Sequence, residues 1–185
     1  MGATSTNQLG FLIFLLLFSW SADVGGGPPP RFYRKYSPVI SFNLDETKVL
    51  NTSIRIAARE NRLEDLKSSL NKKNADVNDQ SDDGVSALMY AAWNCFPKIV
   101  DYLVQRGADV NLQDEQGRTA LMYATRGLCL PVVKKLLITP SLLINTRDHR
   151  GRTILKYAQS AAALEVGDPA DEILKLIRKK IQNFK

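Results

Sequence analysis

Histidine occurs once in this chain, at position 149, and cysteine twice, at 95 and 129. A structural zinc site takes about four cysteine and histidine ligands at short spacing, so this composition excludes one. Two cysteines are also too few for the disulfide framework of a small secreted domain. They fall at nearly equivalent places in adjacent sequence repeats, at the end of a predicted helix, which suits buried small apolar residues. A disulfide between them is the alternative in an oxidising compartment. The chain has no phosphate-binding loop and no dinucleotide fingerprint. Catalysis needs a nucleophile or acid–base pair held by an orienting group, whereas His149 lies in Arg147-Asp148-His149-Arg150-Gly151, a predicted exposed turn tip. No catalytic residue, metal, cofactor or small-molecule substrate is expected, and the chain is not expected to be an enzyme.

Apolar residues run unbroken from Phe11 to Phe18. A helix needs about 20 apolar residues to span a bilayer, and even the stretch Leu9–Trp20 falls short. Its length suits the apolar region of a signal peptide over residues 1–22; cleavage after Ser21 would put Ser19 and Ser21 at the two small-residue positions. The segment before it contains no Lys or Arg, which a signal peptide usually has. Two other readings stand beside this one. Met1–Thr6 fits the loose pattern for N-myristoylation, and an uncleaved run would be a membrane anchor. The signal peptide is preferred, with export to the periplasm or beyond. Residues 23–50 form a linker and lead-in. Gly25–Pro30 suits neither helix nor central strand, and Arg31–Tyr36 mixes cations with aromatics. That segment reads as a cover for the end of the repeat stack, with a membrane or partner contact as the alternative.

The net charge of +6 is unevenly spread. Residues 46–116 carry nine Lys and Arg against twelve Asp and Glu, a charge of −3, and residues 117–185 carry thirteen against five, a charge of +8. Such asymmetry can point to nucleic acid, to an acidic protein or to a solvated surface. No nucleic-acid reader motif accompanies it, so nucleic acid is not favoured.

A period of 33–34 residues organises the rest. An apolar anchor recurs at Ile54, Leu88, Leu121 and Leu155, and a small residue at Ala57, Ala91, Ala124 and Ala158. Asp76-Val77-Asn78, Asp109-Val110-Asn111 and Ile144-Asn145 keep the same period, as do Gly84, Gly117 and Gly151. Each unit opens on Ser or Thr, a helix-capping residue. Pro97, Pro131 and Pro169 fall near the starts of second helices, where proline costs little, with Asp168 as a candidate N-cap. Gly107 and Asn74 suit helix ends. No unit can bury its apolar face alone, so the units must stack.

The run Arg106-Gly107-Ala108-Asp109-Val110-Asn111, followed by Asp114, Gly117, Arg118, Thr119, Ala120 and Leu121, resembles the core of the ankyrin repeat. The resemblance covers residues 51–181. It implies an all-α solenoid of about four helix–turn–helix repeats, at 51–83, 84–116, 117–150 and 151–185, the first and last acting as caps. Several positions depart from the family. Its usual proline is replaced by Ala87, Ala120 and Ile154, and its usual histidine by Met89, Met122 and Lys156. The polar network of that histidine is then missing and a lower stability is expected. Thr139-Pro140-Ser141-Leu142 replaces a glycine turn, and about six extra residues lie around Ala161–Gly167.

The resemblance further implies a non-catalytic protein–protein interaction module, whose recognition surface is built from turn tips and the exposed side of each first helix. With the leader, it reads as a monomeric exported accessory or inhibitory partner of another protein; an intracellular or membrane-tethered adaptor, or an enzyme with an unrecognised site, are the alternatives. Carried over by position, that surface comprises Asp82, Asp83, Val85, Trp93 and Asn94 in the second unit. The third contributes Glu115, Gln116, Arg118 and Arg126, and the fourth His149, Arg150 and Arg152. The tips change sign along the stack, so the expected partner is a protein with an acidic patch facing the fourth unit. Trp93 reads equally as a binding anchor or as packing against a neighbouring helix. Lys175, Arg178, Lys179, Lys180 and Lys185, opposite Ile173, Leu174, Ile177 and Ile181, read as a solvated cap face in preference to an anionic-surface binder. Asn51-Thr52-Ser53 is a glycosylation sequon.

Overall fold

The computed structural model describes residues 45–164 and 167–183; the leader, the Gly/Pro linker and Arg31–Tyr36 lie outside the described residues. Eight helices follow one another among the described residues: α1 (Glu46–Arg59), α2 (Leu63–Leu70), α3 (Ala87–Trp93), α4 (Pro97–Gln105), α5 (Ala120–Arg126), α6 (Leu130–Ile138), α7 (Ile154–Leu164) and α8 (Ala170–Gln182). The first helices of each pair pack side by side in the order α1, α3, α5, α7. Among the second helices, α4 packs on α6 and α6 on α8. None of these helices is long and apolar enough to cross a membrane.

The helices start and stop where the residues require. Ser86 and Thr119 accept the backbone N–H of Met89 and Met122, each at 3.4 Å, capping α3 and α5. Pro97 occupies the first position of α4, where a missing N–H is harmless. The first unit differs: α1 starts seven residues earlier, capped by Asp45, which accepts from Thr47 N at 3.1 Å. Ser53 consequently lies within the helix and donates to Val49 O. Asp168 caps nothing; the cap position of α8 is Pro169, which has no side-chain acceptor to offer.

Ala57, Ala58, Ala91, Ala92 and Ala124 are at most 1% exposed, and their small size lets the inner helices approach one another. Ile99, Val100 and Leu103 are fully buried between the two layers. Burying each such side chain favours folding by roughly 1.5–3 kcal/mol, and only stacking makes that burial possible. Thr125 occupies the register of Ala58 and Ala92, and its buried hydroxyl has no hydrogen-bond partner among the described residues.

Two expectations about the cysteines are corrected. The turns between first and second helices carry a left-handed residue at one register, namely Asn61 (φ 57°), Cys95 (58°) and Leu128 (53°). Cys95 is therefore equivalent to Leu128, and Cys129 to Phe96. This one-residue offset gives the cysteines different environments: Cys129 is buried, but Cys95 is exposed. It also sets them diagonally across adjacent turns with Cα atoms 5.4 Å apart, and they form a disulfide.

The protruding turns are stitched together by three recurring hydrogen bonds. Asn78 Oδ1 accepts from Asp109 N, and Asn111 Oδ1 from Leu143 N, both at 2.8 Å. Gln80 Nε2 donates to Gln113 O, and Gln113 Nε2 to Arg147 O, both at 2.9 Å. Asp83 O accepts from Glu115 N at 3.1 Å, and Gln116 O from His149 N at 2.9 Å. Tips this close leave no space for side chains. A Cβ on Gly117 would lie 2.8 Å from His149 N, whereas one on Gly151, at nearly the same φ, would meet nothing within 4 Å. Gly151→Ala should therefore lose only the cost of a left-handed alanine, about 1 kcal/mol. Gly117→Ala should lose at least about 1 kcal/mol more through the backbone shift it forces. Urea midpoints of the two variants check the order; equal losses would mean that the tips are not packed.

Candidate recognition surface

The expected tip residues Asp82, Asp83, Glu115, Gln116, His149 and Arg150 are all exposed, and backbone bonds between successive tips hold them in a row. Val85 is half-buried against the core. Trp93, at the end of α3, packs against the neighbouring helix and stays partly exposed. It is 43% exposed, its ring meets Tyr123 edge-on at 5.8 Å, and the Arg126 guanidinium lies over it at 5.4 Å. Asn94 is more structural than expected: its Nδ2 donates to Tyr90 O at 3.1 Å and reaches Arg59 O of the preceding unit at 3.5 Å.

Arg118 and Arg152 depart furthest from a simple surface role. Asp114, buried beneath the third tip, accepts from Gln116 N at 2.9 Å, Arg118 N at 2.8 Å, Arg118 Nε at 2.7 Å and the Tyr123 hydroxyl at 2.6 Å. Asp148 repeats this one unit on, accepting from Arg150 N at 3.0 Å, Arg152 N at 2.8 Å, Arg152 Nε at 2.7 Å and the Tyr157 hydroxyl at 2.8 Å. Each arginine also stacks 4.8 Å above the tyrosine of its own unit. Burial would raise both carboxyl pKa values, but the donors outweigh it. Asp114 is held below its ordinary 3.8 and Asp148 falls to about 2. The same burial and carboxylate neighbour push the Tyr123 hydroxyl upward. A Tyr–Asp–Arg network thus stabilises these two tips. The second unit has Ser81 and Val85 at the Asp and Arg positions, and Ser81 Oγ simply accepts from Val85 N at 3.1 Å.

The third and fourth tips, with α5 and α7, enclose a cleft of about 590 Å³. Arg118, Arg126, Arg150, Arg152 and Lys156 line it, with Glu115 and the buried Asp148. Arg118 and Arg152 are neutralised by their aspartates, but Arg126, Arg150 and Lys156 form no ion pair among the described residues. Sequence reasoning missed Lys156. Its register holds the buried Met89 and Met122 in earlier units, and a cation where the period calls for a core residue was the available signal. Leu164, 86% exposed, closes the far side.

A family model for ankyrin repeats, in three copies, matches residues 54–148, just over half the chain. The chain belongs to the ankyrin-repeat family. Its repeats mark it as a protein–protein interaction module. The match ends within the fourth tip, and α7 and α8 beyond it form the last helix pair of the ankyrin stack. No curated protein matches the chain.

Proposed function

We propose that this ankyrin-repeat protein is an exported, non-catalytic accessory or inhibitory partner of another protein. It holds an acidic face of that partner against its third and fourth units. The cleft between tips and inner helices carries the reading, because Arg126, Arg150 and Lys156 converge there and form no ion pair among the described residues. Trp93, stacked beneath Arg126, adds an apolar contact of the kind enriched in binding hot spots. Two features support export. The apolar run Phe11–Phe18 has signal-peptide length, and disulfides such as Cys95–Cys129 persist in oxidising compartments.

Association kinetics test the binding surface. Arg126→Glu, Arg150→Glu and Lys156→Glu together should slow association about tenfold and flatten its salt dependence, because such charges mainly steer encounter. Helical content should be unchanged, since none of the three side chains takes part in an aspartate network; Arg150 reaches Asp148 only through its backbone N–H, which glutamate keeps. Trp93→Ala should speed dissociation at a cost of about 2 kcal/mol. An unchanged association rate at low salt would place recognition elsewhere. Export is tested by intact mass, which should show a mature N-terminus at Ala22 or Asp23; a full-length chain in the membrane fraction would indicate an anchor instead.

A further inference from the structure

We propose that the ladder of tips is open at its fourth rung and accepts an extended acidic segment of the partner as a fifth. This rests on the acidic-partner reading and specifies how part of that partner is held.

The fourth tip joins the third in a fixed pattern. The incoming chain supplies an N–H at Leu143, a C=O at Arg147 and an N–H at His149. They meet Asn111 Oδ1, Gln113 Nε2 and Gln116 O respectively. The second and third tips use the same three-point pattern. Moved on by 34 residues, the receiving groups become Asn145 Oδ1, the Arg147 guanidinium and Arg150 O. Arg147 keeps the local half of the pattern, donating to Gly151 O at 3.0 Å as Gln113 does to Gly117 O at 2.5 Å. Among the described residues nothing occupies the outward half. The space at Gly151 agrees with this, because a Cβ there would meet no atom within 4 Å among the described residues, while Gly84 and Gly117 are each covered by the next tip. An unpaired row of backbone and side-chain hydrogen-bonding groups is a template for an added extended segment. Charge selects the occupant: Arg147, His149 and Arg150 are exposed around the vacant rung, so an acidic segment is favoured. The rung adjoins the cleft lined by Arg150 and Arg152, and one partner can span both.

The second tip of this chain supplies a probe. A capped peptide of residues 76–84 carries four aspartates and places an N–H at Asp76, a C=O at Gln80 and an N–H at Asp82, in the ladder register. Its control is the same peptide N-methylated at Asp76 and Asp82, with equal charge and no donor at either point. Each is titrated into the isotope-labelled full chain and followed by amide NMR. The unmodified peptide should bind with a dissociation constant on the order of millimolar, shifting the Asn145 side-chain amide and the backbone amides of Arg147–Gly151. N-methylation should weaken it at least tenfold, and so should Gly151→Ala in the protein. Equal binding of the two peptides would overturn the fifth rung and leave the acidic-partner reading standing. No shift with either peptide, or shifts away from the third and fourth units, would overturn both.

Discussion

Asp114→Ala should lower the stability of the stack by about 3 kcal/mol, the lower end of the range for breaking a buried ion pair. The carboxylate is buried and takes four hydrogen bonds. Its loss leaves the Tyr123 hydroxyl and two tip N–H groups without an acceptor, although the half-exposed Arg118 guanidinium can turn to water. For a domain of this size the midpoint of thermal unfolding should fall by roughly 10 °C. The second unit suggests the compensating change. Asp114→Ser with Arg118→Val copies Ser81 and Val85, removing both charges together, and should lose much less than Asp114→Ala alone. A double variant as unstable as the single one would show that the ion pair is not the source of the effect.

The same networks set the acid limit of the fold. A carboxyl with a depressed folded pKa contributes stability that is present above its unfolded value and lost as pH falls through the folded one. For Asp148 that window runs from about 3.8 down to about 2. Asp114 adds to it in the same direction. Asp148→Asn should therefore reduce stability at pH 7 and flatten its dependence on pH below 4.

Reduction of Cys95–Cys129 should lower stability by about 3–4 kcal/mol, the chain-entropy value for a closed loop of this length. Denaturant midpoints with and without a reductant measure it. The two ends of the bridge differ in a second way. Cys95 holds a left-handed φ of 58°, which costs a residue with a Cβ about 1 kcal/mol or more. With Cys129→Ala as background, Cys95→Gly should be more stable than Cys95→Ser by about that amount. An unchanged midpoint on reduction would mean that the bridge does not form in solution.

The repeat architecture was legible because three registers share one period. Ser86, Thr119, Pro97 and Gly107 stand where caps and breaks are required, and the structure uses them so. What escaped the period lies where one residue of offset or one partner decides the outcome. Spacing between Cys95 and Cys129 is 34 while their turns are 33 apart, so the cysteines belong to different positions of the unit. Arg118 and Arg152 read as surface cations because the burial of Asp114 and Asp148 is a property of the folded tip. Asn51 begins a sequon, yet it is buried and its Oδ1 accepts from Asp76 N at 3.0 Å, so a glycan there would displace a structural contact. The start of α1 lies before the first repeat register, where a period carries no information.

A photo-reactive amino acid placed in turn at Lys156 and at Lys98 shows which face a partner occupies, through the adducts each position forms with a protein that co-purifies with the chain. Lys156 faces the cleft between tips and inner helices, and Lys98 is exposed on α4 in the outer layer. A covalent adduct is expected from position 156, mapping to an acidic stretch of the partner, and none from position 98. Equal adducts from both positions, or an adduct from 98 alone, would contradict that placement.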